Sequence, residues 1–382
     1  MVVSIAASMS FNLVDTYFVG KLGVDQLAAL SFSFPVVLTL LNLSIGIAIG
    51  TSSVLSRMLG QKQEEEVKVL SSIIFVLGIV LGIIVSIIGI STITPLFSAL
   101  GATEKQLEYV KEYMMFAYPA MGLRLIAISI SGVYRANGIT LIPSASMLVA
   151  TIFNLILDPI LIFGIEGYIE PLGITGAGLA TLLGNFFALV FEFYMAAFKY
   201  HFFSLKKKYF NSLRLKEVLK IAIPASLANS LNPVALNIAN YLIAMEVSTL
   251  AVAGFGVATK LQFFAMIPIL AMSSAIGPIV GQNIGRDLNE RAEKAIKLGF
   301  NICLGWGVIQ TLTLIPGSKF FSGLFTDNQE SIAYSSLYLK WVSLTLAGYS
   351  LVIIHSAILN AMGKAKRAFL VIFLRSIGFF LF

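Results

Sequence analysis

Two short polar stripes, each ending in an aspartate, are the features of this sequence best suited to chemistry. Near the start, Ser8, Asn12 and Asp15 are spaced i, i+4, i+7, which places them on one helical face. Further along, Thr151, Asn154 and Asp158 are spaced i, i+3, i+7 on another. Both stripes interrupt long apolar runs. An ionisable side chain at the centre of a membrane helix costs about 2.5 to 3.5 kcal/mol on insertion scales, so each such acid is a functional candidate. Pro159 directly follows Asp158, has no N–H and crowds the carbonyl of Leu155. The helix is weakened beside the acid, and a backbone acceptor is freed for a cation or water. Two neighbouring carboxyls titrate as a coupled pair, so the chemistry expected here is reversible uptake of protons or of one small cation.

The elements that must carry these acids follow from composition. Of 382 residues, 58% are apolar and 12% charged, and the mean hydropathy is +0.90. A soluble domain averages roughly 45 to 50% apolar and 25% charged residues, so the excess predicts an all-α integral membrane protein. Apolar runs mark eleven spans: 1–20, 27–56, 69–92, 113–134, 139–164, 172–198, 219–245, 250–280, 297–316, 336–361 and 367–382. One cysteine, Cys303, and two histidines, His201 and His355, leave no internal disulfide and no zinc or haem site, and no cofactor is expected. The net charge of +7 points to no nucleic-acid partner, because the basic residues cluster in connections between spans. Connections after even-numbered spans hold eighteen Lys and Arg, against four in the opposite set: Lys21, Lys105, Lys111 and Lys319. The positive-inside rule then puts the N-terminus in the cytoplasm. A membrane prenyl transferase is disfavoured, because no span carries paired carboxylates spaced for magnesium.

Topology allows depths to be compared. Asp15 and Asp158 each lie about six residues, roughly 9 Å, below the outer end of their spans, and Thr181 about 13 Å from the same surface. Tyr113 opens span 4 near the rim. Four helices thus contribute to one outer-half layer. Blander readings stand beside this one: an interfacial Asp15 close to Lys21, an Asp-Pro turn at the surface for Asp158, helix-joining roles for Thr151 and Asn154, and a belt aromatic for Tyr113. Glu192 is expected to be interfacial, close to Lys199. Among basic residues within spans, Lys340 and Arg375 can snorkel, Arg124 has no assigned role, and Lys260 is expected to line a cavity. Span 7 carries Asn237 and Asn240, spaced i+4 and i+7 from Pro233, as further cavity candidates.

The sequence also matches itself at an offset near 225 residues. RMLGQKQEEEV (57–67) faces QNIGRDLNERA (282–292), aligning Gly60 with Gly285, and RANG (135–138) faces NAMG (360–363). Asn240 falls opposite Asp15, so the second half keeps a polar position without the acid. Six spans per repeat give two bundles of the same orientation: an N-terminal lobe over 1–198, a cytoplasmic linker over 199–218 and a C-terminal lobe over 219–382. On this arithmetic the chain is expected to stop within span 11 of a twelve-span fold.

The stretches NLVDTYFVGKLG (12–23), GIAIGTSSVLSRMLGQ (46–61), YRANG (134–138), NLILDPILIFG (154–164) and GAGLAT (176–181) resemble the multidrug and toxic compound extrusion transporters. Within that family the sequence is most similar to the archaeal and bacterial branch related to the DNA-damage-inducible transporter. The resemblance implies a twelve-span monomeric antiporter of the plasma membrane, exporting amphipathic organic cations in exchange for protons or sodium. It carries the family's first-lobe site onto Asp15, Tyr113, Asn154, Asp158 and Thr181, with Asn12, Thr151, Pro159, Asn237, Asn240 and Lys260 as candidates for the substrate cavity. One position departs: Phe11 stands where archaeal relatives often carry tyrosine, which removes a hydroxyl. The alternative within the same superfamily is a lipid-linked oligosaccharide flippase.

Overall fold

The computed structural model describes residues 15–206 and 212–377, nearly all of them helical. The helices are α1 (residues 15–20), α2 (Val24–Gly60), α3 (Glu64–Ala99), α4 (Glu104–Ala136), α5 (Leu141–Phe163), α6 (Gly173–Tyr194), α7 (Ser212–Glu246), α8 (Thr249–Gly285), α9 (Asn289–Gly323), α10 (Gln329–Ala361) and α11 (Ala365–Ser376). Helix dominance is what a bilayer imposes, because backbone N–H and C=O groups must be paired within the segment where water is absent. Eight of the described helices are long and apolar enough to cross a membrane. The asparagines of α7 dilute its apolar content, and it is not among them.

The helices match the predicted spans in order, and most overrun them, while α5 and α6 lie within theirs. α3 starts at Glu64 where the apolar run starts at 69, and α9 at Asn289 where the run starts at 297. Charged residues at a helix end leave the hydrocarbon without ending the helix; caps end it instead. At the start of α4, Thr103 Oγ1 accepts from the Gln106 N–H and Gln106 Oε1 accepts from the Thr103 N–H, a reciprocal capping box.

The two halves repeat closely. α2 recurs as α8 and α4 as α10, each displaced by 225 residues at both ends. The turns repeat as well. Lys62 and Asp287 both have positive φ (59° and 58°), and Gly138 and Gly363 share a φ of 76°. The chain divides into two compact units, Met1–Leu55 with Lys62–Ala222, and Ser56–Gln61 with Ile223–Phe382. In the first, α4 packs against α3 and α6, and α6 against α5; in the second, α10 packs against α8, α9 and α11. The segment 56–61 at the end of α2 belongs to the second unit. There Arg57 Nη1 donates to the Ala361 carbonyl (2.6 Å), satisfying an acceptor that the end of α10 leaves open.

Candidate functional site

α5 presents Ile142, Ser146, Ala150, Asn154, Asp158 and Ile162 to the protein interior, one residue every four along its length. Two glycines of α6 set how closely that face is met. A Cβ built on Gly184 would lie 2.9 Å from the Ala150 carbonyl oxygen, and one on Gly176 would run into the Leu161 backbone. With no Cβ at either place, α6 lies backbone to backbone on α5 and Thr181 reaches the polar face. Asn154 Nδ2 donates to Asp158 Oδ1 (3.1 Å) and to Thr181 Oγ1 (3.5 Å). Asn185 Nδ2, one turn further along α6, donates to the Thr181 carbonyl (2.8 Å).

α1 and α4 close the cluster. The Asp15 side chain faces those of Asp158, Asn154 and Tyr113, and the Tyr113 hydroxyl also faces Thr181. All five side chains are buried, Asp158 and Asn154 at 0% exposure. Asp15 Oδ1, Asn154 Oδ1 and Asp158 Oδ2 are buried oxygens with no hydrogen-bond partner among the described residues. A buried acceptor left unpaired is costly, so the cluster is complementary to something that donates or carries positive charge. Beside it lies a cavity of about 300 Å³ lined by Asp15, Thr16, Tyr113 and, from α2, Leu27, Leu30, Ser31, Ser33, Phe34 and Val37.

Several expectations are resolved by this geometry. Asp158 does not sit in a surface turn: α5 continues through Pro159 to Phe163. Tyr113 is not at a rim, because α4 begins at Glu104 and carries Tyr113 buried among Phe97, Met114 and Ile162. Thr151 is half-buried and donates to the Met147 carbonyl of its own helix (2.9 Å). Pro159 is half-buried beside the cluster. Asn12 and Phe11 lie outside the described residues. In the second unit Asn237 and Lys260 are exposed and Asn240 half-buried, and they are not brought into one cluster. There it is Asn232 that makes contacts, with Arg375 Nη1 (3.1 Å) and the Ser376 hydroxyl (3.3 Å), while the Arg375 guanidinium stacks 3.6 Å over the Tyr349 ring. The apolar runs gave no sign of this group, since Arg375 reads as a snorkelling side chain. The expected interfacial Glu192 is corrected: it is 2% exposed, and Lys199 instead lies over the Tyr200 ring.

An all-helical, multi-pass chain with two repeated helical units and a buried polar cluster in the first is the architecture of a membrane transporter. The family model described as MatE matches residues 1–160 and 224–381, and the chain belongs to that family, the multidrug and toxic compound extrusion transporters. It is similar to the FAD transporter of Shewanella oneidensis, 34% identical over 366 residues, covering 94% of this chain and 79% of the relative. It is also similar to the multidrug export protein MepA of Staphylococcus aureus, 25% identical over 96% of this chain and 81% of that protein. Among solved structures, the Vibrio cholerae MATE transporter VcmN in its bent form superposes with a TM-score of 0.93 at 28% identity, covering 100% of this chain and 86% of that one.

Proposed function

We propose that the protein exports amphipathic organic cations in exchange for protons or sodium, with Asp15 and Asp158 binding the coupling ion and Asn154, Tyr113 and Thr181 supporting them. The observation that carries this reading is the trio of buried oxygens on Asp15, Asn154 and Asp158 that have no hydrogen-bond partner among the described residues. Protons satisfy the carboxyl oxygens directly, and sodium, a hard cation, takes oxygen ligands of this kind. The cavity beside Asp15 is walled largely by Leu27, Leu30, Phe34 and Val37, and adaptable apolar walls suit bulky cations of varied shape. Each charge moving down 100 mV supplies about 2.3 kcal/mol, enough for roughly a fifty-fold substrate gradient.

The lysine-rich connections support an N-terminus in the cytoplasm, and the family resemblance is the ground for reading the protein as a monomer of the plasma membrane. The test is uptake of ethidium into proteoliposomes under an imposed proton gradient and then a sodium gradient. Loss of uptake in Asp158→Asn is expected; uptake undiminished in both Asp15→Asn and Asp158→Asn would overturn the ion-binding assignment. No transport of any probe by folded protein favours the lipid-linked oligosaccharide flippase.

One observation favours a second reading of the substrate. Lys260, Lys340 and Arg375 take part in no ion pair among the described residues, and Arg375 lies flat on Tyr349. A guanidinium stacked on a ring suits a planar, phosphate-bearing solute, the chemistry in the name of the Shewanella relative. FAD-driven counterflow that Arg375→Gln abolishes, with ethidium inert, would select this substrate class and leave the role of Asp15 and Asp158 intact.

A further inference from the structure

Glu192 is the buried acid that the ion-binding cluster leaves unused. It sits on α6 eleven residues after Thr181, which is three helical turns, the same face and about 16 Å further along the axis. Thr181, Asn185, Ala188 and Glu192 are all buried and spaced i, i+4, i+7, i+11, so one stripe runs down α6 from the cluster to the lysine-rich end of the first unit. The facing stripe of α5 runs alongside, and Ser146 Oγ donates across the seam to the Ala188 carbonyl (3.0 Å). Polar groups therefore recur between Asp158 and Glu192 where lipid-like packing would be the default.

The surroundings of Glu192 are built around the acid. Its Oε1 is buried with no hydrogen-bond partner among the described residues. From α4, the Tyr134 hydroxyl donates to the Glu192 backbone carbonyl (2.9 Å), fastening the helix there. The Arg135 guanidinium and the Tyr134 ring face it from α4, and the Ser146 hydroxyl from α5. Arg135 forms no ion pair within 4 Å among the described residues; its Nε donates to the Ser131 carbonyl instead (3.3 Å). Tyr200 stands edge-on to Tyr134 at 5.8 Å. Three residues on, α6 loosens into a π-helical turn, Met195–Lys199, a local widening often found at functional sites. The following segment is pinned back: Ser72 Oγ accepts from the Ser204 N–H (2.9 Å), and Lys206 pairs with Glu65 (2.7 Å).

We propose that Glu192 is a second proton-binding site of the first unit, through which a proton released from the Asp15 and Asp158 layer leaves at the lysine-rich surface. The proposal rests on the coupling reading above. The protonated carboxyl donates its proton to water at the π-helical end, and Arg135 swings to the carboxylate so formed. A proton from Asp158, carried by water, then restores the acid; only O–H bonds form and break.

The test uses the whole protein. In a pH-difference infrared spectrum, Glu192→Gln is expected to remove a protonated-carboxyl band that Asp158→Asn leaves in place. In proteoliposomes the same variant is expected to slow proton-driven ethidium uptake by about a hundredfold with ethidium binding unchanged, the size of effect a positioned proton-transfer group supplies. The remaining uptake should no longer follow the pH on the lysine-rich side. Glu192→Asp, which keeps the carboxyl, is expected to recover most of the rate, which a purely structural role would not produce. A spectrum in which no band is lost in Glu192→Gln, or an unchanged pH profile of uptake, overturns the proposal. If Asp158→Asn also transports normally, the coupling reading fails; if Asp158→Asn is inactive while Glu192→Gln keeps the parent profile, the role of Glu192 alone fails.

Discussion

Asn154 holds the polar cluster together, because its single amide donates to both Asp158 and Thr181. A hydrogen bond donated to a carboxylate contributes about 1.5 to 3 kcal/mol and favours the ionised form, so Asn154→Ala is expected to tighten apparent affinity for a coupling proton by about ten- to a hundredfold. Titrating proton-driven uptake against proton concentration in proteoliposomes checks this, and unchanged affinity would remove Asn154 from the site. Pro159→Ala restores a backbone N–H next to the acid. It is expected to leave ion affinity near the parent value while slowing turnover, since the weakened turn is the place where α5 can bend; equal turnover in a stopped-flow exchange assay would count against a bend there. The two acids and their polar neighbours were legible in the chain because their spacing puts them on one face. Tyr113 was legible as a member of that layer but was placed near the rim, because the basic and acidic residues before it break the apolar run while α4 continues outward to Glu104.

The seam between α5 and α6 is where helix geometry is converted into a cluster. Gly184 allows that approach, and a larger side chain there must push against the Ala150 carbonyl. Overpacking of this kind costs typically about 1 to 3 kcal/mol. Gly184→Leu is therefore expected to lower the yield of folded protein and, in what does fold, to abolish the ion dependence of uptake by drawing Thr181 away from Asn154. Size-exclusion profiles and the uptake assay together check it; a parent-like profile with parent-like ion dependence would mean the seam tolerates separation. The sequence displays these glycines in GAGLAT and beyond, but glycine alone does not say which neighbour approaches. The same gap explains Glu192: its nearness to Lys199 along the chain suggests an interfacial acid, whereas the π-helical turn over Met195–Lys199 breaks the helical phase between them, leaving Glu192 buried and Lys199 exposed.

The repeat ties the molecule together more tightly than its short sequence matches suggest. Gly60 and Gly285, equivalent by the 225-residue offset, touch each other within the second unit: a Cβ on Gly60 would lie 2.9 Å from Gly285 Cα. Gly285→Val is expected to destabilise the folded protein more than substitution at Gly305, whose Cβ would meet nothing within 4 Å; thermal aggregation in detergent compares them. Orientation is open to a labelling test, because the chain has a single native cysteine, Cys303, which is buried. In a Cys303→Ser background, Asp287→Cys is expected to react with a membrane-impermeant maleimide only from the cytoplasmic side and Gly101→Cys only from outside. The reverse pattern would invert the topology.

Class, span order, the two-fold repeat and the polar stripes could be read from residues alone. Each depends on quantities that are local along the chain: transfer free energies that add up over about twenty residues, a fixed helical pitch, and recurrence at a constant offset. Which polar groups meet depends on how helices rotate and how closely they approach. That is why the joining of Asp15, Tyr113, Asn154, Asp158 and Thr181, the burial of Glu192 and the Arg375–Tyr349 stack emerged only from the folded chain. Packing between helices is decided by side chains distant in sequence, and a missing Cβ acts on whichever neighbour the fold brings against it.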